Sequence, residues 1–196
     1  MPTPPTRFWW LRHGPTHAPG VIGWSDLPAD LSDRGRLARL DAALPADAVL
    51  VSSDLRRAVA TADAVQARRT RLPHDPALRE LHFGTWETLT REEIAARDAA
   101  ALSAFWGTPG DVPAPGGESW NQLAARVAAA TDRLAALHPG RDIVVVAHLG
   151  VIVSAIARAT GLPPAQAMRQ PLDNLSLTET TLTAGRWQAG RINHLP

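Results

Sequence analysis

The run Ile143-Val144-Val145-Val146-Ala147 constrains this chain more than any other stretch of it. Four consecutive β-branched side chains lose rotamer freedom in a helix and sit well on a pleated surface, so the run can hardly be anything but a strand. Two further apolar runs, Phe8 to Arg12 and Ala48 to Ser52, read as buried strands, and helical patterns lie between them. Ser32 is placed to cap a helix to about Leu44 with Leu37, Leu40 and Leu44 on one face, and Ser53 or Asp54 to cap a second helix to about Arg69. Residues 71–87 read as irregular or weakly extended, Thr90 to Phe105 as helical, and 107–117 as a Pro/Gly-rich loop. Glu118 to His138 is an amphipathic helix ended by Pro139-Gly140, and the helix after Ala147 runs to about Thr160 and closes at Gly161. Leu175 to Leu182 alternates as a strand does, and Arg186 to His194 supplies another. Strands alternating with helices predict an α/β fold around a mostly parallel sheet. A length of 196 residues without an internal repeat or low-complexity linker predicts a single domain over 1–196.

In such sheets ligands bind beyond the carboxyl ends of the strands. Arg12-His13 follows the first strand, Arg57 lies in the helix turn after the second, and His148 follows the Ile-Val-Val-Val strand, so all three point to one pocket. The long breaker-rich segment 13–31, with Gly14, Pro15, Pro19, Gly20, Gly23 and Pro28, is a loop of the kind that carries function. A phosphate monoester would use this set fully. Its three equatorial oxygens ask for planar guanidinium donors, its phosphorus for an in-line nucleophile, and its leaving oxygen for an acid.

Composition narrows the partners. The pI of about 9.0 suggests nucleic acid, yet the formal net charge is only +1 and the chain has no Lys, Tyr or Cys to titrate between its histidines and its arginines. The arginines are dispersed. The nearest thing to a basic cluster, Arg68-Arg69 with Arg71, reads as a solvated helix end. No apolar run approaches the roughly 18 residues that span a bilayer. The start, Met1-Pro2-Thr3-Pro4-Pro5-Thr6-Arg7 before Phe8-Trp9-Trp10-Leu11, is too short in apolar residues for a signal peptide, and the lack of cysteine fits a cytoplasmic home. The expected partner is a small phosphorylated metabolite rather than a nucleic acid or membrane, and oligomeric state is not legible. His13 and His17 have the i, i+4 spacing of a metal pair, but Gly14 and Pro15 argue against a helix there, so no metal or cofactor is expected.

Leu11-Arg12-His13-Gly14 resembles the Arg-His-Gly signature of the histidine phosphatases and cofactor-dependent phosphoglycerate mutases. Gly23-Trp24-Ser25-Asp26 resembles that family's substrate loop, and Ser52-Ser53-Asp54-Leu55-Arg56-Arg57-Ala58 its segment with the second phosphate arginine, which falls on Arg57. Leu78-Arg79-Glu80-Leu81-His82-Phe83-Gly84-Thr85-Trp86-Glu87 is similar to the proton-donor block, with Glu80 in that place and Glu87 a competitor. Pro115-Gly116-Gly117-Glu118-Ser119 and Val144-Val145-Val146-Ala147-His148 match two later blocks, so the likeness runs from about 8 to 160.

The resemblance implies a three-layer phosphoglycerate mutase-like fold with helices flanking the sheet. It implies a metal-independent phosphatase in which His13 attacks phosphorus, Glu80 protonates the leaving group, and Arg12, Arg57 and His148 hold the oxygens. His148 serves best when protonated, a state that bound phosphate favours. Sugar phosphates, bisphosphoglycerate and α-ribazole phosphate are the substrate candidates. A mutase-type isomerase is the first rival, though only Arg91 and Arg97 lie between Glu80 and Glu118 to hold a second anion; an inactive phosphate-binding module is the second. His82 reads as a structural neighbour, and Trp24, Trp86, Trp106 and Trp120 read as packing residues rather than pocket walls. Two positions depart from the pattern. Pro19 stands where many relatives have a phosphate-binding Asn, leaving Thr16 or His17 to compensate, and Leu149 stands where Gly commonly follows the second histidine, either narrowing the pocket mouth or packing inward.

Overall fold

The computed structural model describes residues 4–196; Met1, Pro2 and Thr3, part of the N-terminal segment and of the domain expected over 1–196, lie outside the described residues. Strands β1 (Thr6–Arg12), β2 (Val49–Ser52), β3 (Thr70–Arg71), β4 (Asp142–Ala147), β5 (Leu177–Thr183) and β6 (Arg186–Ala189) form one sheet in the order β3-β2-β4-β1-β5-β6. β1, β2, β3 and β4 pair in parallel, whereas β5 runs antiparallel to β1 and β6 antiparallel to β5. The apolar run of β4 lies centrally, and its residues from Ile143 on are all buried, as a strand covered on both faces requires.

Successive side chains point to opposite faces, and the two cores follow that alternation. On one face Leu11, Leu50, Val144 and Val146 pack with Leu37 and Leu40 of α1 (Arg34–Ala43) and Ala58 and Ala62 of α2 (Arg56–Ala64). On the other, Phe8, Trp10, Val51, Ile143 and Val145 pack with α3 (Arg91–Gly107), α4 (Trp120–Leu137) and α5 (Leu149–Thr160). The short α6 (Pro164–Ala167) follows α5 and has no counterpart in the sequence reading. The result is the expected α/β architecture of helix, sheet and helix layers.

Several boundaries move. Asp33, not Ser32, caps α1, its carboxylate accepting the Arg36 N–H. α2 begins at Arg56 without a side-chain cap and stops at Ala64, five residues short of the expected end, because the chain turns at Ala67 with φ +43°. That early stop overturns the reading of Arg69 as a solvated helix end. Arg69 is 4% exposed and donates to the carbonyls of Pro45, Val65, Asp41 and Leu44 and to the Asp41 carboxylate. α3 and α4 each start with a capping box, Thr90 with Glu93 and Ser119 with Gln122. Among the described residues no helix is long and apolar enough to cross a membrane.

Candidate active site

Three strand ends converge. His13 directly follows β1, and its backbone is held on both sides: its N–H donates to the Ala147 carbonyl (3.1 Å) and its carbonyl accepts from Asn174 Nδ2 (2.8 Å). The next N–H, of Gly14, donates to Thr61 Oγ1, which in turn donates to the Arg57 carbonyl, tying this turn to α2. Arg57, in the first turn of α2, is 1% exposed. Its single Nε–H is shared between His13 Nε2 and His148 Nδ1, each at 3.2 Å, while Nη1 and Nη2 donate to the carbonyls of Ser25 and Gly23.

That shared donor fixes both tautomers. A ring nitrogen that accepts from Arg57 holds a lone pair, so the proton lies on the other nitrogen. His13 Nδ1–H therefore donates to the Gly14 carbonyl (2.7 Å), and His148 Nε2–H to Ser53 Oγ (2.7 Å). Burial, then the Arg57 charge, push His13 down to about 3; burial, His13 and Arg57 hold His148 well below the usual histidine range. Both shifts favour neutral rings, whose centroids lie 5.0 Å apart. Neutrality suits His13 as a nucleophile, since an imidazolium has no lone pair to give.

Glu80 approaches from the segment before α3. Its carboxylate accepts from the Leu81 N–H and, with both oxygens, from the Gly150 N–H at 3.0 and 3.1 Å. Burial raises its pKa, outweighing those hydrogen bonds and the charges of Arg57 and Arg12, which is the condition for a carboxyl that carries a proton. A Cβ at position 150 would lie 2.4 Å from Glu80 Oε1, so only glycine admits this contact. Arg126 braces the Glu80 backbone by donating to its carbonyl while forking onto Glu118.

Arg12, His13, Thr16, Arg57, Glu80 and Leu149 share the wall of one cavity of about 480 Å³. The Arg12 Nε–H is buried there without a partner, although its Nη1 donates to the Leu172 carbonyl. An unpaired buried guanidinium donor is costly unless an anion meets it. Other expected residues lie elsewhere. His148, 0% exposed, stands behind Arg57 rather than on the wall. Gly23 is not on the wall either; its N–H donates to Glu87 and its carbonyl accepts from Arg57. His17 lines the cavity but pairs with Asp30 (2.9 Å). Leu149 is 40% exposed at the mouth, so of its two expected placements it takes the narrowing one.

Glu87 is engaged differently from Glu80. It accepts from the backbone of Gly23, Trp24, Ser25 and Phe83 and from Ser25 Oγ–H, and these bonds outweigh its partial burial and hold its pKa low. It is the clamp of the loop that receives Arg57. His82 packs against Trp24 with ring centroids 4.6 Å apart and planes tilted by 37°, and it is not on the cavity wall. Asn174, Gly150 and Thr61 were missed by sequence reasoning. Gly150, two residues past His148, was the one with a visible signal.

A family model described as the histidine phosphatase superfamily (branch 1) matches residues 8–195. A bifunctional protein of Mycobacterium tuberculosis is 34% identical over 188 residues, covering 89% of this chain and 50% of that protein, so the chain spans about half the length of this relative. The glucosyl-3-phosphoglycerate phosphatase of the same organism is 33% identical over 94% of this chain and 87% of its own. Among solved structures, the α-ribazole phosphatase of Shigella flexneri superposes with a TM-score of 0.82 at 26% identity over 96% of both chains.

Proposed function

Because the chain belongs to the histidine phosphatase superfamily (branch 1), we propose that it is a phosphoric monoester hydrolase that acts on small phosphorylated metabolites through a phosphohistidine on His13. The observation that carries this reading is the placing of the His13 ring in the cavity wall. Its Nδ1–H is spent on a carbonyl, and its Nε2 lone pair lies beside the Arg57 guanidinium in a cavity that also holds Arg12.

In the first step Nε2 of His13 bonds to phosphorus as the bond from phosphorus to the ester oxygen breaks. The Glu80 carboxylic acid gives its proton to the departing alcohol. Arg12 and Arg57 neutralise the oxygens, fixed in place before the charge moves. In the second step water attacks phosphorus, its proton returns to the Glu80 carboxylate, and the P–N bond breaks to regenerate neutral His13. A bound phosphate dianion offsets the Arg57 charge, which together with burial and His13 depresses His148, and so favours protonation of His148. The two guanidinium groups supply the positive charge that a metal supplies in other phosphatases, so activity should survive exhaustive chelation.

The relatives named as glucosyl-3-phosphoglycerate phosphatase and α-ribazole phosphatase support a small organic monoester as the substrate. Brief incubation of the protein with such a monoester, followed by denaturation, should trap an acid-labile, base-stable phosphoenzyme. His13→Ala should form none and lose roughly 10³-fold or more in turnover, because the other imidazole of the cavity, His17, is held by Asp30. Undiminished turnover by a folded His13→Ala protein would overturn the assignment.

A further inference from the structure

Glu80, Phe83 and Leu149 belong to two cavities at once: the arginine-lined one and a second of about 100 Å³ beside it. Since Glu80 is placed to protonate the leaving oxygen, the second cavity begins where the alcohol half of the substrate must lie. Its wall is made by Leu81, Phe105, Trp106, Val112, Trp120 and Met168, together with the shared residues. Among the described residues of that wall, Glu80 is the only charged side chain. Arg91 lies over the Trp106 ring at 5.9 Å without joining the wall.

We infer that this second cavity is a leaving-group site for an uncharged, apolar, ring-sized alcohol, and that monoesters with a second anionic group are poor substrates. The inference rests on the phosphatase reading and deepens it. The aromatic wall is held by its own contacts: Trp106 stacks on Phe83 (6.0 Å, 16°) and on Trp86 (5.4 Å, 18°), with Phe105 edge-on to Trp106 at 4.7 Å. A preformed apolar wall costs little ordering when a ring enters. It offers no cation to a carboxylate or second phosphate, whose lost hydration would go largely uncompensated. It also corrects the reading of Trp106 and Trp120 as packing residues only, since both face this cavity.

Benzyl phosphate, glycerol 3-phosphate and 3-phosphoglycerate all leave as alkoxides that need an acid, so comparing them tests the cavity rather than the chemistry. Benzyl phosphate should exceed glycerol 3-phosphate in kcat/KM by roughly 30-fold, the scale of burying one aromatic side chain, and 3-phosphoglycerate should fall lowest. Val112→Arg, at a position 43% exposed, places a cation at the rim and should shrink the ratio of benzyl phosphate to 3-phosphoglycerate by about tenfold or more. Benzylphosphonate against methylphosphonate as inhibitors of the unaltered protein reads the same preference without any variant. Equal kcat/KM for the three esters, or equal inhibition by the two phosphonates, with the His13 phosphoenzyme still trapped, would overturn this inference and leave the phosphatase reading standing. Absence of the phosphoenzyme would overturn both.

Discussion

At the carboxyl end of β2 stands Arg57 and at its amino end Arg69, and burial alone does not distinguish them: they are 1% and 4% exposed. Their hydrogen bonds do. A guanidinium has five N–H donors. Those of Arg69 meet five oxygens, four backbone carbonyls and the Asp41 carboxylate, in a closed set that holds the start of β3 against the end of α1. Arg57 spends one hydrogen on two imidazoles and two on the carbonyls of Gly23 and Ser25, leaving one on each terminal nitrogen in a group that lines the cavity. A saturated buried arginine is a brace, and an unsaturated one facing a cavity is a ligand site.

Exchanging each arginine for alanine breaks or sharpens that contrast most directly. Arg57→Ala should lower kcat by roughly 10²- to 10³-fold, the scale of removing one preorganised donor from a developing charge. Arg69→Ala should leave the turnover of the folded protein within about twofold. It should instead cost on the order of 3 kcal/mol for the stranded carbonyls and lower Tm by roughly 10 °C. Steady-state kinetics beside thermal unfolding reads both. A large loss of kcat in Arg69→Ala at unchanged Tm would erase the distinction.

The sequence made one of these arginines legible and hid the other, for a physical reason. Arg57 follows a buried apolar strand, and strand ends are where α/β sheets present side chains to ligands, so its place could be read locally. The same held for Arg12, His13 and His148. Arg69 sat among Arg68 and Arg71, and nothing local reveals that the helix stops at Ala64 and turns it inward. The partners of the site were hidden likewise. Glu80 meets Gly150 from 70 residues away, and Asn174 reaches the His13 carbonyl from 161 away. Such contacts are set by tertiary packing and carry no periodicity. The strands of the sheet were legible because a β-branched run buried on both faces has no competing fate.

The next contrast is between the two carboxylates of one block. Glu80→Gln should slow an alkyl phosphate by roughly 10²-fold, the usual size of acid catalysis, while an activated nitrophenyl phosphate loses far less. Glu87→Gln should show no such dependence on the leaving group. It weakens the clamp on residues 23–25, whose carbonyls orient Arg57, so its effect should be smaller, alike for both esters and expressed in KM. A leaving-group dependence in Glu87→Gln and not in Glu80→Gln would reverse the two roles.

The smallest effect separates the two ends of β2 by pH. In the native state His13 is held at about 3, against 6.5 unfolded, because burial and Arg57 penalise the imidazolium. Between those values the unfolded chain binds a proton that the native chain does not. Stability therefore rises with pH through that window and is lost as pH falls from about 6.5 toward 3. His148 is depressed too and acts in the same direction. Glu80 has the opposite sign: with its pKa raised, the native state holds a proton that the unfolded state has released above 4.5, so its share of stability declines as pH rises through that range. Thermal unfolding at pH 7 and pH 5 should show wild type losing a few degrees more than His13→Gln, because the variant cannot take up that proton when it unfolds. Arg69→Ala, though less stable throughout, should lose as much as wild type. Equal losses in wild type and His13→Gln would mean that His13 is not held neutral by its surroundings, and the lone pair on which the nucleophile depends would lack its physical basis.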